Sequence, residues 1–234
     1  MTTRDLPPLP RHTQGPHLHR PELESELQRI REGVSRLGEL VDRAIQRATW
    51  GLAERNTDLC TAVIEDDAEV NDLQRRVREL VFQTILTQAP VAGDLREIMG
   101  FLHMSSELER MADHCVSIAK IARSLSDMPE LRPAVDIPKM AQFCSEQVRD
   151  ILGAVINRDV DRARLVASRD DRVDRIYHRL FDELVQLMSE DGDNVYRATN
   201  LVFIAHHLER IADRVTNIAE DLIFTETGVI EDLG

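Results

Sequence analysis

Aromatic side chains are scarce in this chain: six Phe, two Tyr and one Trp make up 4% of its 234 residues. That mix favours helices packed through Leu, Ile, Val, Ala and Met. Ten Gly and nine Pro are also few, and five of the prolines (Pro7, Pro8, Pro10, Pro16 and Pro21) fall in the first 21 residues. The remainder has too little turn chemistry for a β-sandwich or barrel. The fold class is all-α.

Cysteine is sparse as well. Cys60, Cys115 and Cys144 are scattered without a Cys-x-x-Cys pair, so they read as reduced core thiols, which suits the cytoplasm. The longest uninterrupted apolar run, Leu201-Val202-Phe203-Ile204-Ala205, is far too short to span a membrane. The polar, Pro-rich first twenty residues lack the apolar segment of a signal peptide. A membrane role, if there is one, works through a partner without direct insertion. Basic residues are outnumbered, 29 against 42 acidic, for a formal charge of −13. No basic stripe with interleaved aromatics is present, which argues against nucleic-acid binding. A metal ion or a basic protein surface suits this charge better. There is no phosphate-binding P-loop, no Gly-x-Ser-x-Gly and no glycine-rich dinucleotide loop. The chain therefore reads as an interaction module and not an enzyme, with no catalytic residues assigned.

What is present is a repeat. Leu108-Glu109-Arg110-Met111-Ala112-Asp113 returns as Leu208-Glu209-Arg210-Ile211-Ala212-Asp213, 100 positions later (209 − 109). Around it, apolar residues recur every three or four positions: Leu23, Leu27, Ile30, Val34, Leu37, Val41 and Ile45 form the first run. Asn56-Thr57-Asp58 is a helix-capping cluster, a second run ends near Ala89-Pro90, and a third reaches about Leu125. After a link holding Pro129, Pro133 and Pro138, the cycle repeats. Its turns fall at Asn157-Arg158-Asp159 and Asp191-Gly192-Asp193. The expected layout is an arm over 1–20, a three-helix bundle over 21–125 and a linker over 126–138. A second three-helix bundle follows over 139–226, then a tail over 227–234. The architecture is thus two tandem, pseudo-symmetric bundles with six long helices.

Glu109 and Asp113 lie one turn apart on one helix face, as do Glu209 and Asp213, and like charges at that spacing repel. The second helix carries Asp67 and Asn71 beside its apolar stripe, matched in the fifth helix by Asp170 and Asp174 (170 − 67 = 103). Where antiparallel helices meet, each half would gather four oxygen-bearing side chains, a donor set for a hard cation or for iron or manganese. No His has a Glu three positions before it, so a di-iron oxidase is disfavoured. A second reading is open: Arg110, Arg210 and Arg214 sit beside these acids and could neutralise them as surface ion pairs. His103, His114, His206 and His207 read as polar flanks of these helices. His12, His17 and His19, separated by Pro and Gly, have no fixed ligand geometry.

The chain resembles the PhoU family of phosphate-signalling regulators. The resemblance rests on Pro90-Val91-Ala92-Gly93-Asp94-Leu95-Arg96, on Leu108 to His114, on Asp67 to Asn71, and on the second copy ending at Asp213-Arg214. It covers residues 22–226. It implies an iron or zinc cluster on each bundle in some members. Asp67, Asn71, Glu109 and Asp113 would hold the first; Asp170, Asp174, Glu209 and Asp213 would hold the second. Asn71 stands where a strict motif has Asp, so the first site is expected to be the weaker. The resemblance also implies a cytoplasmic, often dimeric adaptor. It would link the ATPase subunit of a phosphate ABC transporter to a membrane sensor histidine kinase, and so negatively regulate phosphate uptake and the phosphate regulon. The alternative is a metal-cluster-dependent phosphate sensor or metalloenzyme using the paired carboxylates.

Overall fold

The computed structural model describes residues 20–131, 137–169 and 171–234. The arm with His12, His17 and His19, the centre of the Pro-rich link and Asp170 lie outside them. The described residues form helices α1 (Pro21–Ala53), α2 (Thr57–Gln88), α3 (Ala92–Leu125), α4 (Ile137–Asn157), α5 (Val160–Ala167), α6 (Asp171–Glu190) and α7 (Val195–Thr227). A single 3-10 turn, Gly192–Asn194, precedes α7.

Helix α1 starts with Pro21 in its first turn, where the missing N–H costs nothing. Its buried face is the apolar run already counted, Leu23 through Ile45. Asn56 caps α2, its side chain accepting from the backbone N–H of Asp58 at 3.0 Å and Leu59 at 3.1 Å. Asp159 caps α5 in the same way, accepting from Arg162 at 2.9 Å. Each cap follows an arginine in the left-handed region, Arg55 (φ 54) and Arg158 (φ 53). Both arginines reach across the fold: Arg55 Nε donates to the Ser126 carbonyl at 2.9 Å, and Arg158 pairs with Glu97 at 2.6 Å and Glu226 at 3.6 Å.

One difference from the periodicity appears in the second half. The rod expected from Asp159 to Glu190 is divided into α5 and α6, with Ser168 closing α5. Ser and Asp side chains compete for backbone hydrogen bonds and favour termini over helix interiors. Here Asp171 and Asp174 instead serve the positive first turn of α6.

Helices α1, α2 and α3 form one bundle, and α4 to α7 the other. The bundles join through α3 against α7 and α1 against α4. Both joints use a glycine for close approach. A Cβ on Gly38 would strike Leu152, and one on Gly100 would strike Thr225. Buried residues such as Leu37, Leu108, Met111, Met140, Leu180 and Ala219 belong to one continuous core running through both bundles. Cys60, Cys115 and Cys144 are buried and unbridged, and burial pushes the Cys115 thiol up. Among the described residues no helix is long and apolar enough to cross a membrane.

Candidate functional site

Antiparallel packing of α2 on α3 brings the first set of acids onto one shoulder. Asp67 edges a small crevice with Val63, Val70 and Ala112. Asn71 Nδ2 donates to Asp67 Oδ2 at 2.9 Å, while the buried Asp67 Oδ1 has no hydrogen-bond partner. Burial pushes the Asp67 carboxyl up, and the neighbouring Asp113 charge pushes it further; Asn71 and Lys120 oppose this. Glu109 is pushed up likewise, by burial, then by Asp113 and Asp67, against Arg110. The exposed Asp113 is thus close enough to raise the proton affinity of both Asp67 and Glu109.

The second set differs in its neutralisation. Arg210 Nη1 donates to Asp213 Oδ2 at 2.9 Å, and its Nε lies 3.5 Å from Glu209 Oε2. His206 Nδ1 approaches the same Glu209 oxygen at 3.2 Å, yet that oxygen makes no well-aligned hydrogen bond. Burial raises Glu209 first, followed by Asp213, with Asp174 a smaller contributor. Burial also raises Asp213, with Arg210 opposing and Asp174 assisting. Asp174 on α6 therefore joins the group, whereas Asp170 lies outside the described residues.

Among the described residues, no three His, Cys, Asp or Glu side chains are gathered closely enough to hold a metal as they stand. The acids are within electrostatic reach of one another but short of ligating closeness. Their oxygen donors, and the partnerless Asp67 Oδ1, nonetheless fit a hard cation that would draw them inward. In the second set Arg210 already occupies the place of such a charge.

The arginines divide in a way their spacing did not reveal. Of the three, only Arg210 contacts the paired acids directly among the described residues. Arg110 turns to Glu107 at 2.6 Å, and Arg214 reaches the same carboxylate from α7 at 3.2 Å. Asn217 completes this cluster with a 2.9 Å hydrogen bond. The Glu107 side chain is 1% exposed. Burial alone would push its carboxyl up, but the Asn217 hydrogen bond with the Arg214 and Arg110 charges outweighs it and holds it below the usual range. The signal for Glu107 was a charge four residues before Met111 on the buried side of α3.

The histidines are partnered too. Nδ1 of His114 lies 3.1 Å from Nδ1 of His207, so one ring donates and the other accepts. Burial, then the facing His207, pushes His114 down to about 4. Burial lowers His207 as well. Shifted by 100 positions, the Glu107–Arg214 contact becomes the His207–His114 contact. One pseudo-symmetric seam thus carries an ion pair at one place and a neutral imidazole pair at the other. His103 Nδ1 meets Asp221 Oδ2 at 2.5 Å, and burial pushes Asp221 up to about 6 against that contact.

Comparison with known proteins agrees with this duplicated architecture. The PhoU domain model matches residues 34–122 and 137–222, once per bundle. The phosphate-specific transport system accessory protein PhoU homolog of Clostridium acetobutylicum is 34% identical over 211 residues, 90% of this chain and 96% of that protein. The homolog from Aquifex aeolicus is 38% identical over 189 residues, 81% of this chain and 86% of its own length. Among solved structures, PhoU from Pseudomonas aeruginosa superposes with a TM-score of 0.85 at 30% identity. It covers 88% of this chain and 100% of that one. The phosphate transport system regulatory protein PhoU from Streptococcus pneumoniae gives 0.82 at 27% identity, covering 90% and 99%.

Proposed function

The chain belongs to the PhoU family, the accessory regulators of phosphate transport, and we propose that it acts as a non-enzymatic adaptor. In this reading it works in the cytoplasm as a homodimer, joining the ATPase subunit of a phosphate ABC transporter to a membrane sensor histidine kinase. It damps phosphate uptake and holds the phosphate regulon off. The observation that carries the reading is the family match on both bundles across 34–122 and 137–222. The net charge of −13 supports docking on basic partner surfaces.

The partnerless Asp67 Oδ1 and the raised carboxyls of Asp67 and Glu109 favour a second element, a divalent or trivalent cation such as iron or zinc on each bundle. Asp67, Asn71, Glu109 and Asp113 would hold the first; Asp170, Asp174, Glu209 and Asp213 would hold the second. The ion would supply the positive charge that these acids lack, and the chain's own residues would orient it.

A pull-down of the purified protein against the transporter ATPase and the sensor kinase, with and without chelator, tests both parts. The adaptor reading expects capture of both partners. Capture that survives chelation makes the ions optional, and capture lost on chelation makes them part of the signal. Failure to capture either partner under both conditions would overturn the adaptor.

A further inference from the structure

Where α2 turns into α3, the large apolar side chains of Phe82, Leu86, Val91, Leu95 and Met99 lie exposed, Leu86 by 84% and Val91 by 67%. Helical spacing places them on one face. Phe82 stands 11 residues beyond Asn71 on α2 (82 − 71), about three turns. Leu95 stands 18 residues before Asp113 on α3 (113 − 95), about five turns. Both therefore continue the shoulder that carries the first set of acids. Leu86 and Met99 follow one turn after them. Gln74 meets Ser106 at 3.5 Å, and counting along the antiparallel pair from that contact sets Phe82 level with Ile98, between Leu95 and Met99. An apolar group gathered like this at the end of a hairpin marks a contact surface.

The described chain begins at this same end. Arg20 Nη2 donates to the Gln88 carbonyl, so residues 1–19 leave the body beside Leu86 and Val91. They include Leu6-Pro7-Pro8-Leu9-Pro10, and Pro-rich segments with apolar residues suit shallow grooves edged by aromatic rings. From Leu9 to Arg20 are 11 residues (20 − 9), which reach up to about 36 Å when extended. Phe82 is only six residues from Gln88, about 9 Å of helix. The charges favour the same contact. Arg4, Arg11 and Arg20 against Asp5 give residues 1–20 a charge of +2, so the remainder carries −15 (−13 − 2).

The second bundle has a counterpart made of described residues. Val185 and Val195 match Phe82 and Leu95 under the repeat (82 + 103 and 95 + 100), and each is 46% exposed. The Pro-rich chain before α4 passes that hairpin end. The Pro129 carbonyl accepts from Arg197 Nη1 at 3.0 Å, and Leu131 packs against the core. The chain before α1 stands in the matching position.

We propose that residues 1–19 dock back on their own chain, with Leu6 and Leu9 seated among Phe82, Leu86, Leu95 and Met99. The tether at Arg20 holds the segment at an effective concentration on the order of millimolar, so a weak contact suffices. A partner that uses this surface must first displace it.

The test uses the full-length protein with a nitroxide on Thr3→Cys and isotopically labelled Leu, Val and Met methyl groups. The three native cysteines are buried and do not compete for the label. The methyl signals of Leu86, Leu95 and Met99 are expected to broaden away. Those of Val185 and Val195 should persist. Helices α3 and α7 pair antiparallel through His103–Asp221 and His114–His207, which puts these valines roughly 45 Å off, at the far end of α3. Leu6→Ser with Leu9→Ser in the same labelled chain should restore the lost signals and leave thermal unfolding unchanged. Mixing nitroxide-bearing chains with separate isotope-labelled chains should leave every signal intact. No broadening would overturn the proposal, and so would broadening that survives the two serine substitutions, which the tether alone explains. Broadening in the mixed sample would assign the surface to the segment of a second copy and overturn docking within one chain.

Discussion

In the first bundle Asp67 leans on Asn71 and leaves one oxygen without a partner, whereas in the second Arg210 grips Asp213 and approaches Glu209. The two sets descend from the same repeated segment and sit on the same helix shoulder. What separates them is the local supply of positive charge. Arg110 and Arg210 occupy matching positions, yet Arg110 is drawn to the buried Glu107. The residue matching Glu107 in the second half is His207, which offers no carboxylate to draw Arg210 away. A change at the seam thus sets the charge balance of a surface group on the same helix.

The largest expected effect comes from breaking the seam itself. Glu107→Ala leaves Arg214 without its carboxylate and is expected to cost about 3 kcal/mol in urea unfolding. His207→Ala at the matching position should cost only about 1 kcal/mol. Equal costs for the two would break the comparison.

Next is a contact with no counterpart. His103 and Asp221 match Phe203 and Ile121 under the repeat, so only one side of the seam titrates there. The Asp221 carboxyl is raised from 3.8 to about 6, meaning that protonation favours the folded state. Its contribution is full below the ordinary carboxylate range and is lost as pH rises through about 6. The loss is on the order of 2 kcal/mol. Asp221→Asn should flatten that part of the stability–pH profile, and a profile unchanged by the substitution would contradict it.

A third comparison concerns cations. Asn71 weighs against the first set because an amide oxygen is neutral; Arg210 weighs against the second because it carries a full positive charge. Arg210→Ala is expected to tighten zinc or manganese binding at the second set by about ten-fold in calorimetry. Asn71→Asp should do the same at the first set by a similar factor. If only one of the two responds, charge supply is not what distinguishes them. The smallest effect is Asn71→Ala, which removes the hydrogen bond to Asp67 and should change thermal stability by roughly 0.5 kcal/mol.

The helices, their two-fold recurrence and the shoulder on which Glu109, Asp113, Glu209 and Asp213 lie were all legible in the order of the residues. Those features follow from local spacing: a 3.6-residue period places i and i+4 on one face whatever surrounds them, and caps such as Asn56 act within three residues. The order of the residues did not determine the break between α5 and α6, where local hydrogen-bonding competition at Ser168 interrupts an otherwise sustained apolar period. Nor did it determine which acid each arginine serves. Arg110 and Arg214 both sit next to paired carboxylates in the sequence, yet both converge on Glu107, because α3 and α7 meet there and a buried charge attracts partners more strongly than an exposed one. The same holds for the His114–His207 contact, built from residues about a hundred positions apart. Only the packing of one bundle against the other brings such residues within reach.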